Sequence, residues 1–414
     1  MYRLSIMLSS LKTTIWRVLI TTLFIIIPIY SQVRVGEWGA LTSTVEINDI
    51  VGVEDGIFLA TKGGILFVGD NMQSTFTTVD GLSGVNIESI DIDQQLNIWI
   101  GGGLPNGFLQ IYNPLEGVSI EVFDFGVSSI EDIQIKDDIC WVQFTKGQNT
   151  GLMKYIYNGK WEYRDSYKNY PNDAGSMNCF VASDTILYVG MQNGLYAANI
   201  NDNIKDPTNW IKIIDNFNDE ISSIAKVNNE LFFTTATGLN KYDIEYQSFL
   251  TINFSKNLQN ANNVMFENGN IWFSDGIKLF SKLDAEEFEF LAKHEITDIY
   301  HKDEKQIIVT TKAGFISITK NNVGGLELAR YVPNSPSSGK FSAIEILSDG
   351  RLVGGSRSGI SIYDDYGWRN ILEIKNENSN IINTSYDFNS FASDTIPYDF
   401  GDAVADIEEG PDGL

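Results

Sequence analysis

Apolar and polar positions along this chain alternate in short runs of about four to eight residues, separated by turns rich in Gly, Asn and Asp. After residue 31 no stretch carries the spacing of an amphipathic helix. The runs recur in a fixed order. A leading strand such as EINDIVGV or NIESIDID is followed by a polar turn (EDG, NNE, NGN, SDG). Next come a strongly apolar strand, a turn closing on Gly, another apolar strand, and a trailing strand such as STFTTV, KWEYRD or EFEFLA.

The closing glycines are Gly64, Gly107, Gly151, Gly194, Gly238, Gly276, Gly314 and Gly359, set 38 to 45 residues apart. A repeat of that period marks a quasi-periodic architecture. Helical solenoids have no helices to use here, a parallel β-helix needs much shorter coils, and a two-sheet sandwich would not repeat its landmark eight times. Four short antiparallel strands per period make an all-β fold, a β-propeller of four-stranded antiparallel blades. Seven blades are favoured and eight are possible.

The segment RVGEWGALTSTVEINDI near the start has the order of FTTVDGLSGVNIESI: a fourth-type strand, a turn, a first-type strand. An N-terminal fourth strand would complete the last blade and leave no free edge. Seven blades then span residues 33–331. Residues 341–414 hold an additional blade and an incomplete one, either the start of a second propeller or the closing blades of the first. The stretch DAVADIEEGPDGL repeats FSAIEILSDGRL, so the chain is expected to continue past Leu414. Residues Asn376 to Pro397 read as a long loop between blades.

Arg3, Lys12 and Arg17 precede an apolar run of thirteen residues, Val18 to Tyr30, which ends at Ser31. That run is short against the ~20 residues of a bilayer span, so residues 1–31 read as a signal peptide. Its removal takes three of the 29 basic residues and none of the 54 acids, deepening a formal charge of −25. Such a surface disfavours nucleic acid, and it opposes an anionic glycan or lipid unless a basic patch or divalent cation intervenes. Export is expected, with no transmembrane segment after cleavage.

Candidate chemistry is sparse. The two histidines, His294 and His301, flank a leading strand near Glu295, Asp298 and Asp303 and read as solvated surface. Cys140 and Cys179 sit on strands of neighbouring blades, whose spacing disfavours a disulfide, and read as small buried thiols. Trp99, Trp141 and Trp272 recur on second strands, and Trp38, Trp161, Trp210 and Trp368 at the start of fourth strands; recurrence at equivalent positions is what packing between blades produces. The stretch from Asp91 to Asn97 lacks the glycine and late glutamate of a calcium loop. Gly63 and Gly64 fall in a hairpin with no helix behind it, so they do not cradle phosphate. No catalytic, cofactor-binding or metal-ligating residue is assigned, no cofactor is expected, and the ligand-binding residues are left open.

The stretch Phe76 to Gly102, FTTVDGLSGVNIESIDIDQQLNIWIGG, resembles the repeat of the two-component-regulator propeller family. The likeness rests on Asp80, Gly81, Leu82, Ile90, Asp93, Trp99, Ile100 and Gly101. The opening of the mature chain is most similar to PorZ-type accessory proteins of type IX secretion. That resemblance implies an exported, non-enzymatic scaffold, in the periplasm or at the outer-membrane surface of a Gram-negative bacterium, that helps anchor secreted proteins to the cell surface. Its implied partners are proteins of a secretion and attachment complex, with lipopolysaccharide or another glycan as a further ligand. The alternatives are a glycan-sensing ectodomain of a two-component regulator and a propeller-scaffold hydrolase or lyase.

Overall fold

The computed structural model describes residues 39–387, apart from short stretches at 71, 104–105, 124–125, 255–259, 268–269, 284–285, 304, 321–324, 365–366 and 378–379. The expected signal peptide, Trp38, the segment 33–38, residues 388–397 and the final partial repeat lie outside the described residues; the described part of the stretch read as a loop is instead strand, ending Gly367–Glu377 and forming Asn380–Asp387. Among the described residues no helix is long and apolar enough to cross a membrane.

Eight antiparallel sheets follow one another along the chain, matching the eight closing glycines. Seven have four strands in sequential order. The eighth has five, Ala343–Ile346, Leu352–Ser356, Gly359–Asp364, Gly367–Glu377 and Asn380–Asp387. Second strands such as Gly56–Thr61 are buried along their whole length, because a sheet stacked between two others has no wet face there. Outer strands such as Val118–Phe123 are exposed.

The inner strands of the first seven sheets are Ile47–Val53, Ile87–Ile92, Ser129–Lys136, Met177–Ala182, Ile221–Val227, Asn262–Glu267 and Ile296–Asp303. Each touches the next, and the seventh touches the first. Seven sheets therefore meet in a ring, and the described residues form eight.

Apolar clusters fill the seams between sheets. Phe58, Ala60, Ile65 and Phe67 of the first sheet pack against Ile87 and Ile90 of the second, and Trp99 of the second packs against Ile130 and Ile133 of the third. At the closing seam Ile47, Ile50, Leu59 and Leu66 meet Ile308 and Phe315. Each such fully buried side chain contributes about 1.5–3 kcal/mol.

Closure differs from the strand exchange expected from the N-terminal segment. The seventh sheet takes its outer strand, Leu326–Tyr331, from its own repeat, so the fourth place is already filled. Residues 40–46 instead cross the seam without strand pairing, and Val45 O accepts the N–H of Gly314 at 2.8 Å. Gly314 has φ +85, and a Cβ there would lie 2.1 Å from Tyr331 O, so this closing turn requires glycine. Gly64 is constrained in the same way, with φ +120 and Phe76 O at 2.2 Å.

A buried polar strap then ties the eighth sheet to the seam. Ser335 Oγ accepts the N–H of Thr44 at 3.1 Å, while Ser335 O accepts Asn370 Nδ2 at 3.1 Å. Asn370 Oδ1 in turn accepts the N–H of Ser337 at 3.1 Å, and Asn334 Oδ1 accepts that of Trp368 at 2.8 Å. Asn370 is wholly buried. Replacing it, Asn370→Ala, is expected to cost about 2–3 kcal/mol in urea unfolding, because both its partners lose a bond inside the protein. A loss under about 0.5 kcal/mol would show that the strap does not hold the seam.

Candidate functional site at the channel mouth

Aligned on the first buried apolar residue, the seven inner strands share one pattern, apolar–x–y–apolar. It reads Ile47-Asn48-Asp49-Ile50, Ile87-Glu88-Ser89-Ile90, Ile130-Glu131-Asp132-Ile133, Met177-Asn178-Cys179-Phe180, Ile221-Ser222-Ser223-Ile224, Ala261-Asn262-Asn263-Val264 and Ile296-Thr297-Asp298-Ile299. In all seven the pairing with the second strand slips at this point, so the middle of the pattern is bulged. A bulge bends the strand and re-aims its side chains. Seven of them concentrate polar groups where the inner strands begin.

Many of these groups clamp one sheet to the next. Asn48 Nδ2 donates to Ile87 O at 2.6 Å, Asn178 Nδ2 to Ile221 O at 3.0 Å and Asn263 Nδ2 to Ile296 O at 2.9 Å. The y position works in the same direction: Asp49 Oδ2 accepts from Ile90 N at 2.8 Å and Ser223 Oγ from Val264 N at 3.1 Å. One turn deeper, Asp91 Oδ2 accepts from Ile135 N at 2.6 Å.

A cavity of about 440 Å³ opens at this end, lined by Asn48, Glu88, Ser129, Glu131, Asn262, Asn263, Glu295, Ile296, Thr297 and Lys312. Its walls come from five of the seven sheets. Lys312 Nζ donates to Asn48 Oδ1 at 2.6 Å across the closing seam. Glu131 is held by Ser129 Oγ at 3.1 Å, by Gln143 Nε2 at 3.1 Å and by Thr145 Oγ1. The lining is therefore amide, carboxylate and hydroxyl with one ammonium, suited to ligands rich in hydrogen-bonding groups.

Below the mouth, four acids from consecutive sheets share the ring interior. Burial raises Asp298 well above the ordinary carboxylate range, the Asp49 charge adds to this, and the two carboxyls hydrogen-bond across the closing seam. Burial also raises Asp49, with the N–H groups of Ile90 and Ile50 working against it. Asp91 and Asp132 are each pushed up to about 7, by burial first.

The residues singled out in the sequence fall elsewhere. Burial lowers the pKa of half-buried His294, helped by Arg330 and Lys293, so its ring is less solvated than a surface histidine. His301 stands on the inner strand Ile296–Asp303, at the end away from the mouth. Cys140 and Cys179 are unpaired thiols, both raised by burial. Trp99, Trp141, Trp161, Trp210 and Trp272 are buried between sheets. Among the described residues, no group of three His, Cys, Asp or Glu is placed to hold a metal ion. The mouth itself went unremarked in the sequence, although alignment of the leading strands on their first apolar residue displays it.

No protein-family model matches the sequence, and no curated protein does. Solved structures do. PorZ, described as an essential bacterial surface component of the type-IX secretion system of Porphyromonas gingivalis, is similar at 15% identity with a TM-score of 0.61, covering 80% of this chain and 46% of that one. The extracellular domain of the putative one component system BT4673 from B. thetaiotaomicron is similar at 16% identity with a TM-score of 0.52, covering 84% and 47%. Virginiamycin B lyase from Staphylococcus aureus is similar at 13% identity with a TM-score of 0.52, covering 67% and 96%. The chain spans about half the length of the PorZ and BT4673 chains. At these identities the likeness carries the fold alone, a propeller fold shared with PorZ and the BT4673 extracellular domain.

Proposed function

We propose that the chain is an exported binding scaffold of the PorZ type, working at the cell surface in a complex that attaches secreted proteins. The observation that carries this reading is the channel mouth: polar groups from five sheets converge on it, and their hydrogen bonds hold neighbouring sheets together. A rigid, many-sided polar mouth is organised to hold a partner or glycan in place. The fold likeness to PorZ over most of the chain supports the choice of partner class.

A second reading, the glycan-sensing ectodomain of a regulator, is favoured by the likeness to the BT4673 extracellular domain. One experiment separates the two. Deleting the gene in the source bacterium and following secreted cargo should release that cargo into the medium. Cargo retained on the cell surface, together with a lost transcriptional response to a glycan, would replace the scaffold by the sensor.

A further inference from the structure

The channel mouth carries a charge that the protein does not match. Its wall holds three carboxylates against one ammonium, Lys312. Glu88 and Glu131 stand on the inner strands of the second and third sheets, and Glu295 immediately precedes that of the seventh. Lys312 Nζ is held by a neutral acceptor, Asn48 Oδ1, and among the described residues none of the three carboxylates forms an ion pair. Glu131 is fixed by neutral donors: Ser129 Oγ and Thr145 Oγ1 reach its Oε1 and Gln143 Nε2 its Oε2. Its charge is positioned and left unpaired.

The neutral groups of the wall turn their donors toward the protein. Asn48 Nδ2 serves Ile87 O, and Asn263 Nδ2 serves Ile296 O at 2.9 Å and Ser274 Oγ at 3.5 Å. Thr310 Oγ1 donates to Asp298 O at 3.3 Å, so in its 2.9 Å contact with Thr297 Oγ1 the Thr297 hydroxyl is the donor. What the 440 Å³ cavity offers a ligand is therefore lone pairs and negative charge.

We propose that the mouth holds an arginine side chain of a partner protein. A guanidinium offers five N–H donors and no acceptor, in a planar fork that carboxylates can grip from different sides. A neutral saccharide brings hydroxyls that accept as well as donate and leaves the charges unmatched; an anionic one adds to them. Among the described residues no group of three His, Cys, Asp or Glu is placed to hold a metal ion, so carboxylates spread over three sheets suit a broad cation better than a point charge. The inference rests on the binding-scaffold reading and names the chemistry of what its mouth holds.

The probe is an end-capped glycine-serine peptide carrying two arginines and a neutral fluorophore, added to the full chain and followed by anisotropy. It should bind, less tightly as salt rises. Glu88→Gln with Glu131→Gln should weaken binding by about tenfold or more, because charge-assisted contacts are lost. Glu295→Gln, at an exposed site outside the Glu131 bonds, should act in the same direction by itself, which keeps the test open if the double variant folds poorly. The control pair Glu116→Gln, Glu121→Gln removes the same charge from an exposed outer hairpin and should change binding by less than about twofold. Equal weakening by that control would overturn the proposal, since binding would then belong to the whole chain of formal charge −25. Equal binding of a peptide with citrulline in place of arginine, which keeps the shape and drops the charge, would overturn it too. Arginine binding at the mouth with cargo retained on the cell surface would remove the scaffold and keep this ligand; cargo release without arginine binding would do the reverse.

Discussion

Denaturant unfolding repeated across pH should give a stability that falls between about pH 4 and about pH 7. The sign follows from proton counts. Asp91 and Asp132 rise from 3.8 to about 7 in the folded ring, so between those values the native state holds protons that the unfolded chain has released. The stabilisation is fully present below the unfolded pKa and is lost as pH rises through the folded one. Each acid gives a slope of up to about 1.4 kcal/mol per pH unit, reduced where channel water reaches the carboxyl.

Asp298 and Asp49 shift in the same direction and add to the fall. Exposed Asp184, Asp206 and Asp349 are lowered instead, by hydrogen bonds and, at Asp184 and Asp349, by nearby cations. Their stabilisation is lost only as pH falls below the usual carboxylate range, outside this window. Surface repulsion on so acidic a chain also grows with pH, so mutation must separate the two contributions. Asp132→Asn should flatten the slope by about one acid's share, and Asp298→Asn should flatten it further while still donating to Asp49. A stability that rises across the same window would refute the assignment.

Those acids were present in the sequence but not legible as a group. The glycine landmark and the strand order gave the propeller because one physical requirement recurs: a hairpin that closes beside the outer strand's carbonyl has no room for a Cβ, as at Gly64 and Gly314. The tryptophans were legible for the same reason, since equivalent positions fill equivalent seams. The mouth uses a backbone device, the bulge, with no fixed residue type: Asn-Asp, Glu-Ser, Asn-Cys and Thr-Asp all occupy it.

Ring closure was misread for a related reason. The N-terminal segment has the order of a trailing and a leading strand, but the fourth place of the seventh sheet is taken by Leu326–Tyr331 of its own repeat. A segment's pattern states what it could form; occupancy of the neighbouring place decides whether it does. The strap through Ser335 and Asn370 links residues distant in sequence and has no local signature at all.

The acidic turn Asp91 to Asn97 shows the same dependence on context, and it carries the largest single-site effect expected. Asp93 is buried, and its carboxylate is fully engaged. Oδ1 accepts the N–H groups of Gln95 and Asn97, both at 2.9 Å, while Oδ2 accepts Asn97 Nδ2 at 3.2 Å and Trp161 Nε1 at 3.0 Å. One carboxylate therefore builds the turn, in which Leu96 takes a left-handed φ of 63°, and fastens the third sheet's outer strand to the second sheet. Trp161 in turn meets Trp99 edge-on, with ring centroids 5.1 Å apart.

Asp93→Ala should cost about 3–5 kcal/mol, since several charge-assisted bonds vanish and a buried indole N–H is left without its acceptor. Asp93→Asn should cost less, about 2 kcal/mol, because its carbonyl can still serve the turn. Trp161→Phe keeps much of the packing but loses the link. In a double-mutant cycle Asp93→Ala and Trp161→Phe should couple by about 1–3 kcal/mol. Additivity within about 0.5 kcal/mol would mean that the turn and the seam are independent, and that Asp93 matters only to its own hairpin.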